Sequence, residues 1–482
     1  VTRSLRNLIF GFFTVIVLLL LVEFGLRLAV TVSTNWVKEH QQLTFDFKLW
    51  QMHLFDSFMG MHEPDPELFW KMKPNYHSLL VSTNSEGFVG PEIEPKEKGE
   101  YRILFLGDST PLGIGLPNFR ESFVFQLQDS LRAAYPDRKI TVINASTAGY
   151  SSWQCRKLLE LDGAKLQPDL VVTYFGNNDP SINGYLSDQQ LHDLSASYGG
   201  IKRLLSKSYL YRTLKLFILR WRSGSEDQGN LKERVSLPEF RDNIEAIRQW
   251  CDLHDCKLAL CTVPTPNLWP PGLEFKVFSQ GRDQEGRLVM SEQMRAALGG
   301  DWALCLDTLL LPGRHDVWTE RVYAGAYSDK GDPVVDEQFY ENGLERDPDN
   351  AQYLNNLGVL RWRQGKESVS LFRRALAIDT LSPVIFYNKG IAEYYSDTAA
   401  SRLDLARAKE LDNYSLRIKK PYNTDILIQS KSPGVTLVDL VQLMRGLPEN
   451  KYYVDHCHPT LRGHKLIAAK LFETLTPIMS AL

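Results

Sequence analysis

From residue 102 onward the chain alternates short, unbroken apolar runs with amphipathic stretches of helical period, and this restricts the fold more than any other feature. The runs are RILFL at 102–106, ITVIN at 140–144, DLVVTYF at 169–175, KLALCTV at 257–263 and GVTLVDL at 434–440. Helical periodicity covers 119–134, 153–166, 240–254 and 463–475. A strand that is apolar on both faces must be covered on both. Helices between successive strands supply that cover and make the strands parallel. The expected fold is α/β, a three-layer sandwich with a parallel sheet.

The first 30 residues impose a different environment. Residues 8–22 read LIFGFFTVIVLLLLV with no charge, and EFGLRLAV follows. That run alone is short of the roughly 20 residues that span a bilayer. Glu23 and Arg27 sit four apart, so on a helix they share a face and can pair, which is tolerable near a membrane surface. The expectation is one transmembrane helix over 8–30. A cleaved signal peptide is the alternative, although no small-x-small cleavage site follows cleanly. Arg3 and Arg6 precede the run with no acidic residue among them, which predicts a cytoplasmic N-terminus and an extracytoplasmic remainder. Arg27 and Lys38 on the far side weaken that bias.

Residues 333–415 break the strand–helix rhythm and read as helices joined by short polar turns. Asn356-Leu357-Gly358 is followed by Phe372 and Ala375, and Lys389-Gly390-Ile391-Ala392 by Leu405 and Ala408. The two glycines are 32 apart, a period that resembles tetratricopeptide repeats. About two such repeats cannot stand alone and must lean on a host domain.

At 482 residues the chain has room for about three domains. Its 55 Lys plus Arg against 58 Asp plus Glu leave a net charge of -3, which gives no support to nucleic-acid binding. Six cysteines without a CxxC pair argue against a disulfide scaffold and a structural zinc site. No cofactor is expected.

The candidate chemistry lies at strand ends, where open parallel sheets bind ligands. The first strand ends in Gly107-Asp108-Ser109, which presents a serine hydroxyl after a residue that permits a sharp turn. The second runs into Ala145-Ser146-Thr147-Ala148-Gly149-Tyr150, where Gly149 can bring a backbone N–H close to a ligand. The third ends in Gly176-Asn177-Asn178-Asp179, where an Asn amide can face a developing oxyanion. Asp455-His456-Cys457-His458-Pro459, with His464 beyond it, precedes the last helix. There Asp455 can orient the His458 imidazole and stabilise its imidazolium. Taken singly, each is compatible with a plain turn. The His and Cys cluster also admits a metal, whose remaining ligands would have to come from elsewhere.

In this order and at these places, the four blocks resemble the SGNH hydrolase family, also called GDSL-type. The resemblance covers residues about 100–310 and 425–482 and implies a flavodoxin-like sandwich. It implies Ser109 as nucleophile, His458 as general base, Asp455 as its orienting carboxylate, and an oxyanion hole from the Ser109 and Gly149 N–H groups and the Asn178 amide. No metal takes part. Asp108 and Asp179 are expected to brace their loops, and Cys457 to pack.

With the N-terminal anchor, Asn84-Ser85-Glu86-Gly87-Phe88 and the helical insert, the chain is similar to a membrane-anchored bacterial subgroup. Thr110 stands where the family name implies leucine. The division this implies is a cytoplasmic segment 1–7, a transmembrane helix 8–30, and a connector and extension 31–98. Hydrolase parts at 99–332 and 416–482 then flank an insert at 333–415. The implied activity is an extracytoplasmic serine esterase on acylated cell-surface glycan or lipid. The alternatives are an O-acyltransferase of the same fold, or a non-catalytic scaffold that binds a protein partner through the insert.

Overall fold

The structure is a computed structural model that describes residues 3–40, 61–77, 81–116, 118–184, 186–197, 205, 208–211, 213–214, 232–269, 271, 279–282, 288–290, 337–412 and 416–480. Most of 272–332, within the expected first hydrolase part, and the insert margins 333–336 and 413–415 lie outside the described residues.

Helix α1 spans Arg3–His40. Within it the stretch Leu5–Ala29 has a mean hydropathy of 2.6 and is not buried by the rest of the chain. Its length and composition suit a membrane anchor and a signal sequence alike. Strands β1 (His62–Asp65) and β2 (Phe69–Met72) then pair antiparallel.

Five strands form the central sheet: β3 (Tyr101–Gly107), β4 (Ile140–Asn144), β5 (Leu170–Tyr174), β8 (Lys257–Cys261) and β11 (Val435–Val438). All pair in parallel, in the spatial order β11-β8-β5-β3-β4. Numbered by appearance, that order is the flavodoxin-like 2-1-3-4-5, which reverses between β3 and β5. The crevice above those two strands is where such a sheet binds ligands. Between the sheet strands, β6 (Ile182–Gly184) and β7 (Lys232–Glu233) form a small antiparallel pair. Beyond β8, β9 (Ser279–Arg282) and β10 (Leu288–Met290) form another.

The helices that enclose the sheet start where side chains satisfy their first N–H groups. Short helix α2 (Ser109–Leu112) is capped by Asp108, which accepts from Thr110 N. Helix α3 (Phe123–Ala134) follows. Helix α4 (Ser152–Leu166) opens on a capping box of Ser151 and Gln154, and α5 (Asp188–Ser197) comes next. Helix α6 (Leu237–Leu253) opens on a box of Ser236 and Glu239, which explains why it starts three residues before the apolar period does.

In the second half, α7 (Glu337–Arg346), α8 (Ala351–Arg363), α9 (Val369–Ile378), α10 (Pro383–Ala392) and α11 (Thr398–Leu411) follow one another. They pack around their own core of Leu354, Leu357, Phe372, Tyr387, Ile391 and Leu405. Here Gly358 faces the Phe372 ring and Gly390 faces Leu405. A Cβ on either glycine would come within 2.8 Å of that neighbour. Helix α12 (Lys420–Gln429) leads back to β11. The last strand stops at Val438, because Asp439 caps α13 (Leu440–Met444) by accepting from Gln442 N. Helices α14 (Glu449–Tyr452) and α15 (Leu461–Ser480) complete the chain.

The main core joins the sheet to α3, α4, α6, α12 and α15, with Phe105, Phe123, Trp153, Tyr174 and Phe240 among its largest members. The segment 61–98 is part of this body. Leu68 and Phe88 enter the main core, while Met61, Met72 and Val89 pack with Leu112, Phe125 and Val454.

Candidate active site

Strand β3 delivers Ser109 to the crevice. Gly107, the last residue of β3, pairs with Tyr174 of β5, and a Cβ there would lie 2.8 Å from the Tyr174 carbonyl oxygen and 3.0 Å from Ser146 Oγ. Only glycine lets the two chains and the loop after β4 meet so closely. Asp108 is fully buried. It accepts from Thr110 N–H at 2.9 Å and from the Asn177 amide at 3.0 Å. Burial pushes its carboxyl up to about 6, partly offset by the Thr110 N–H. Ser109 is half-buried and begins α2, so its N–H has no partner within the helix.

The segment between α14 and α15 brings in the other two groups. Asp455 Oδ1 accepts from Cys457 N–H and His458 N–H, both at 2.9 Å, so the backbone fixes the carboxylate plane. His458 Nδ1 lies 2.8 Å from Asp455 Oδ2, and His458 Nε2 lies 2.7 Å from Ser109 Oγ. An ionised carboxylate can only accept, so Nδ1 carries the proton and Nε2 is left to accept from the serine hydroxyl. Burial acts to raise the Asp455 pKa. His458 and His456 beside it outweigh that effect and hold the carboxyl below its ordinary range. Gly115 adopts φ +91, and a Cβ there would lie 2.9 Å from Val454 Cγ2 and 3.4 Å from His458 Cβ.

Gly149 adopts φ +79, which favours glycine. Its carbonyl accepts from Arg234 Nη1 at 2.6 Å. Arg234 is buried and also grips Asp188 through Nε (3.2 Å) and Nη2 (2.9 Å). The sequence reading missed this residue. The N-terminal extension holds the same loop: Trp70 Nε1 donates to the Ala148 carbonyl at 3.1 Å, and Tyr150 OH donates to the Trp70 carbonyl at 2.8 Å. A cavity of about 320 Å³ lies beside it, lined by Asp65, Lys71, Glu86, Phe88, Ser146 and Asp162 among others. Ser109 and His458 are not among its walls.

Of the two adjacent asparagines, Asn177 ties loops together. It donates to Asp108 and accepts from Ile418 N–H at 3.2 Å. Asn178 donates one amide N–H to the Tyr150 carbonyl at 3.0 Å, which anchors it to the loop that carries Gly149. Asp179 is buried and binds Ser152 through its N–H (3.0 Å) and its hydroxyl. Burial raises its carboxyl to about 7, although the Ser152 bonds and Arg234 oppose the shift.

The remaining members of the histidine cluster divide by position. His464 lies in the core, where Nδ1 accepts from Phe123 N–H at 3.1 Å and so caps α3, and the ring stacks on Phe123. Burial drives its pKa down to about 3, as it does for His456. Cys457 Sγ lies 3.3 Å from His456 Nε2 and 3.6 Å from His458 Nδ1, and burial pushes its thiol well up. Ligand atoms of Asp455, His456, Cys457 and His458 all fall within 4.8 Å of one another, a set that could hold a metal ion. Both ring nitrogens of His458 are already engaged, by Asp455 and by Ser109, so an ion there would compete with that pair.

No curated protein matches the chain. Among solved structures it resembles TesA, at 20% identity and a TM-score of 0.22, over 34% of this chain and 62% of that one. It also resembles LAE5, an alpha/beta hydrolase enzyme from the metagenome of Lake Arreo, Spain, at 12% and 0.32, over 78% and 95%. A third is a mutant of the acetylxylan esterase Axe2 from Geobacillus stearothermophilus, at 11% and 0.32, over 78% and 94%. Likeness of this degree bears on neither substrate nor mechanism. The family match is local: residues 103–209 fit the model described as GDSL-like Lipase/Acylhydrolase, a stretch that contains Ser109, Gly149 and Asn178 and ends before Asp455. By that match residues 103–209 are similar to GDSL-like lipases and acylhydrolases, and they lie in a parallel α/β sheet with the flavodoxin-like strand order.

Proposed function

We propose that this domain is a membrane-anchored serine esterase that works through an acyl-enzyme. The observation that carries the reading is the continuous chain of contacts from Asp455 Oδ2 to His458 Nδ1 at 2.8 Å and from His458 Nε2 to Ser109 Oγ at 2.7 Å. Ser109 attacks the acyl carbonyl while His458 takes its proton. Asp455 holds the tautomer and balances the imidazolium. The N–H groups of Ser109 and Gly149 and the Asn178 amide receive the oxyanion. The alcohol leaves with the proton from His458. Water then resolves the acyl-enzyme; a sugar hydroxyl in its place would make the enzyme an O-acyltransferase. With α1 as anchor and the domain on the extracytoplasmic side, acylated surface glycan or lipid is the substrate class within reach. The helices α7–α11, read as a tetratricopeptide-like insert over 333–415, would offer a docking lobe for a protein partner.

The test uses the full chain in detergent, a fluorophosphonate probe and p-nitrophenyl acetate, beside Ser109→Ala and His458→Ala. The parent alone should label, and hydrolysis should fall by about 10³-fold or more in both variants. A folded parent that neither labels nor turns over would defeat the reading.

A further inference from the structure

Three successive carbonyls of the loop after β4 are taken by donors from three other parts of the chain. Trp70 Nε1 donates to Ala148 (3.1 Å), Arg234 Nη1 to Gly149 (2.6 Å) and the Asn178 amide to Tyr150 (3.0 Å). The N–H groups of Thr147 and Tyr150 are spent on the Gly107 and Thr147 carbonyls, each at 3.1 Å. The Gly149 N–H shares a peptide plane with the Ala148 carbonyl and, in a trans peptide, points the opposite way. With that carbonyl drawn to Trp70, the N–H faces away from the indole. The peptide planes on both sides of the Gly149 Cα are thus held, one by Trp70 and one by Arg234, and this fixes the glycine at φ +79. A carbonyl that accepts a hydrogen bond also polarises its peptide and makes the N–H of that peptide a stronger donor.

Trp70 is itself held. It lies in β2, its carbonyl accepts from Tyr150 OH at 2.8 Å, and the Arg234 guanidinium sits 5.5 Å from its ring centre. A Cβ on Gly149 would lie 3.3 Å from Trp70 Cζ2, so the indole stands close against the glycine.

We propose that Trp70 is a positioning residue for the oxyanion hole: through the Ala148 carbonyl, its indole N–H aims and strengthens the Gly149 N–H. The segment 61–98 then completes the active site as well as packing on the sheet. The inference rests on the esterase reading, in which the Gly149 N–H receives the oxyanion. Because Trp70 acts on a donor to charge that appears only in the transition state, its effect falls on kcat and not on KM.

The experiment uses the full chain in detergent with two replacements at position 70. Trp70→Phe removes the indole nitrogen together with part of the ring. Benzothienylalanine, introduced at a stop codon, keeps the bicyclic shape and puts sulfur where the N–H stands, so it separates the hydrogen bond from the packing. Both should lower kcat for p-nitrophenyl acetate by about three- to tenfold, the loss expected of one hydrogen bond, and leave KM within about twofold. Phenylboronic acid, whose adduct with Ser109 places a boron-bound oxygen in the hole, should bind more weakly by the same factor. End-point fluorophosphonate labelling should stay at the parent level. An unchanged kcat with benzothienylalanine would overturn the proposal. So would a fall in kcat matched by a rise in KM or by a loss of labelled enzyme, which would mean that Trp70 only packs. A parent that neither labels nor turns over would instead defeat the esterase reading, and this proposal with it, before any variant is compared.

Discussion

Replacing Asp455 with Asn tests the site at the point where geometry makes the sharpest statement. Asp455 Oδ1 accepts two backbone N–H groups, from Cys457 and His458, each at 2.9 Å. An asparagine must therefore place its carbonyl oxygen there and its amide nitrogen where Oδ2 now faces His458 Nδ1. The opposite orientation would set amide hydrogens against two buried N–H groups and lose two hydrogen bonds, at about 1–3 kcal/mol each. The bias towards the first orientation is thus about 2–6 kcal/mol. In that orientation the amide faces Nδ1; Oδ1 also lies 3.0 Å from Nδ1 but already accepts two backbone N–H groups, so the tautomer with its proton on Nε2, pointing at Ser109 Oγ, is favoured. The imidazole can no longer act as base. A bias of 2 kcal/mol already implies about a 30-fold loss, and wrong-tautomer variants of this kind lose about 10⁴-fold in kcat. The assay is kcat for p-nitrophenyl acetate together with the rate of fluorophosphonate labelling, and both should fall together. Near-native thermal unfolding is expected, because the backbone contacts persist. A folded Asp455→Asn protein that keeps more than about a tenth of the parent kcat would refute the orienting role.

Three further outcomes follow from the same geometry. Asn178→Ala should lower kcat by about 10²–10³-fold with little change in KM, since the amide is asked to bind charge that appears only in the transition state. Asp179, with its carboxyl raised to about 7, stabilises the fold when protonated. That contribution is complete below its unfolded value of 3.8 and is lost as pH climbs through about 7. Asp179→Asn, whose side chain does not titrate, should therefore gain stability relative to the parent as pH rises from about 4 to about 7 and keep a constant advantage above that, as read from paired melting curves. Treatment with EDTA should leave hydrolysis unchanged, because no step needs an ion at Asp455, His456, Cys457 or His458; loss of activity restored by zinc would show the opposite.

The sheet was legible because its strands are buried on both faces and read as unbroken apolar runs, and the ends that differ do so for local reasons. Residues 439–440 read as strand by polarity alone, yet Asp439 has a better use as a helix cap. Ser109, Asp455 and His458 were legible as candidates because chemistry at strand ends leaves turn residues next to reactive ones, and the structure brings all three within hydrogen-bond reach. Asn178 was singled out only through the family resemblance and Asn177 not at all; their partners, Tyr150 and Asp108, become visible only in three dimensions. Arg234 was invisible. Its partners Gly149, Gln154 and Asp188 are 46 or more residues away, and nothing in Lys232-Glu233-Arg234-Val235 marks it as more than a surface cation. His464 looked like part of the reactive cluster only because it is near His458 in the chain. Its ring belongs to α3 and the core.

The position of His458 is set from outside the parallel sheet as much as from within it. The chain after β8 passes through Pro266, Asn267, Leu268 and Trp269, and three side chains, the half-buried Glu449 and the buried Arg417 and Tyr387, grip this strap. Glu449 accepts from Asn267 N–H (2.9 Å) and Leu268 N–H (2.8 Å), Arg417 donates to the Pro266 (3.1 Å) and Trp269 (3.0 Å) carbonyls, and Tyr387 of α10 donates to the Leu268 carbonyl at 2.9 Å. Glu449 opens α14, which runs directly into Asp455–His458, and the Trp269 ring sits 6.4 Å from that of His456. The buried Arg417 guanidinium is tolerable because the Pro266 and Trp269 carbonyls and Asp412 receive it, since an unpaired buried charge costs several kcal/mol. Tyr387 thus ties α10 to the strap that adjoins the histidine segment. The nucleophile, by contrast, is fixed by the sheet itself through Gly107 and Asp108. The Nε2–Oγ distance of 2.7 Å measures the register between these two separately held parts.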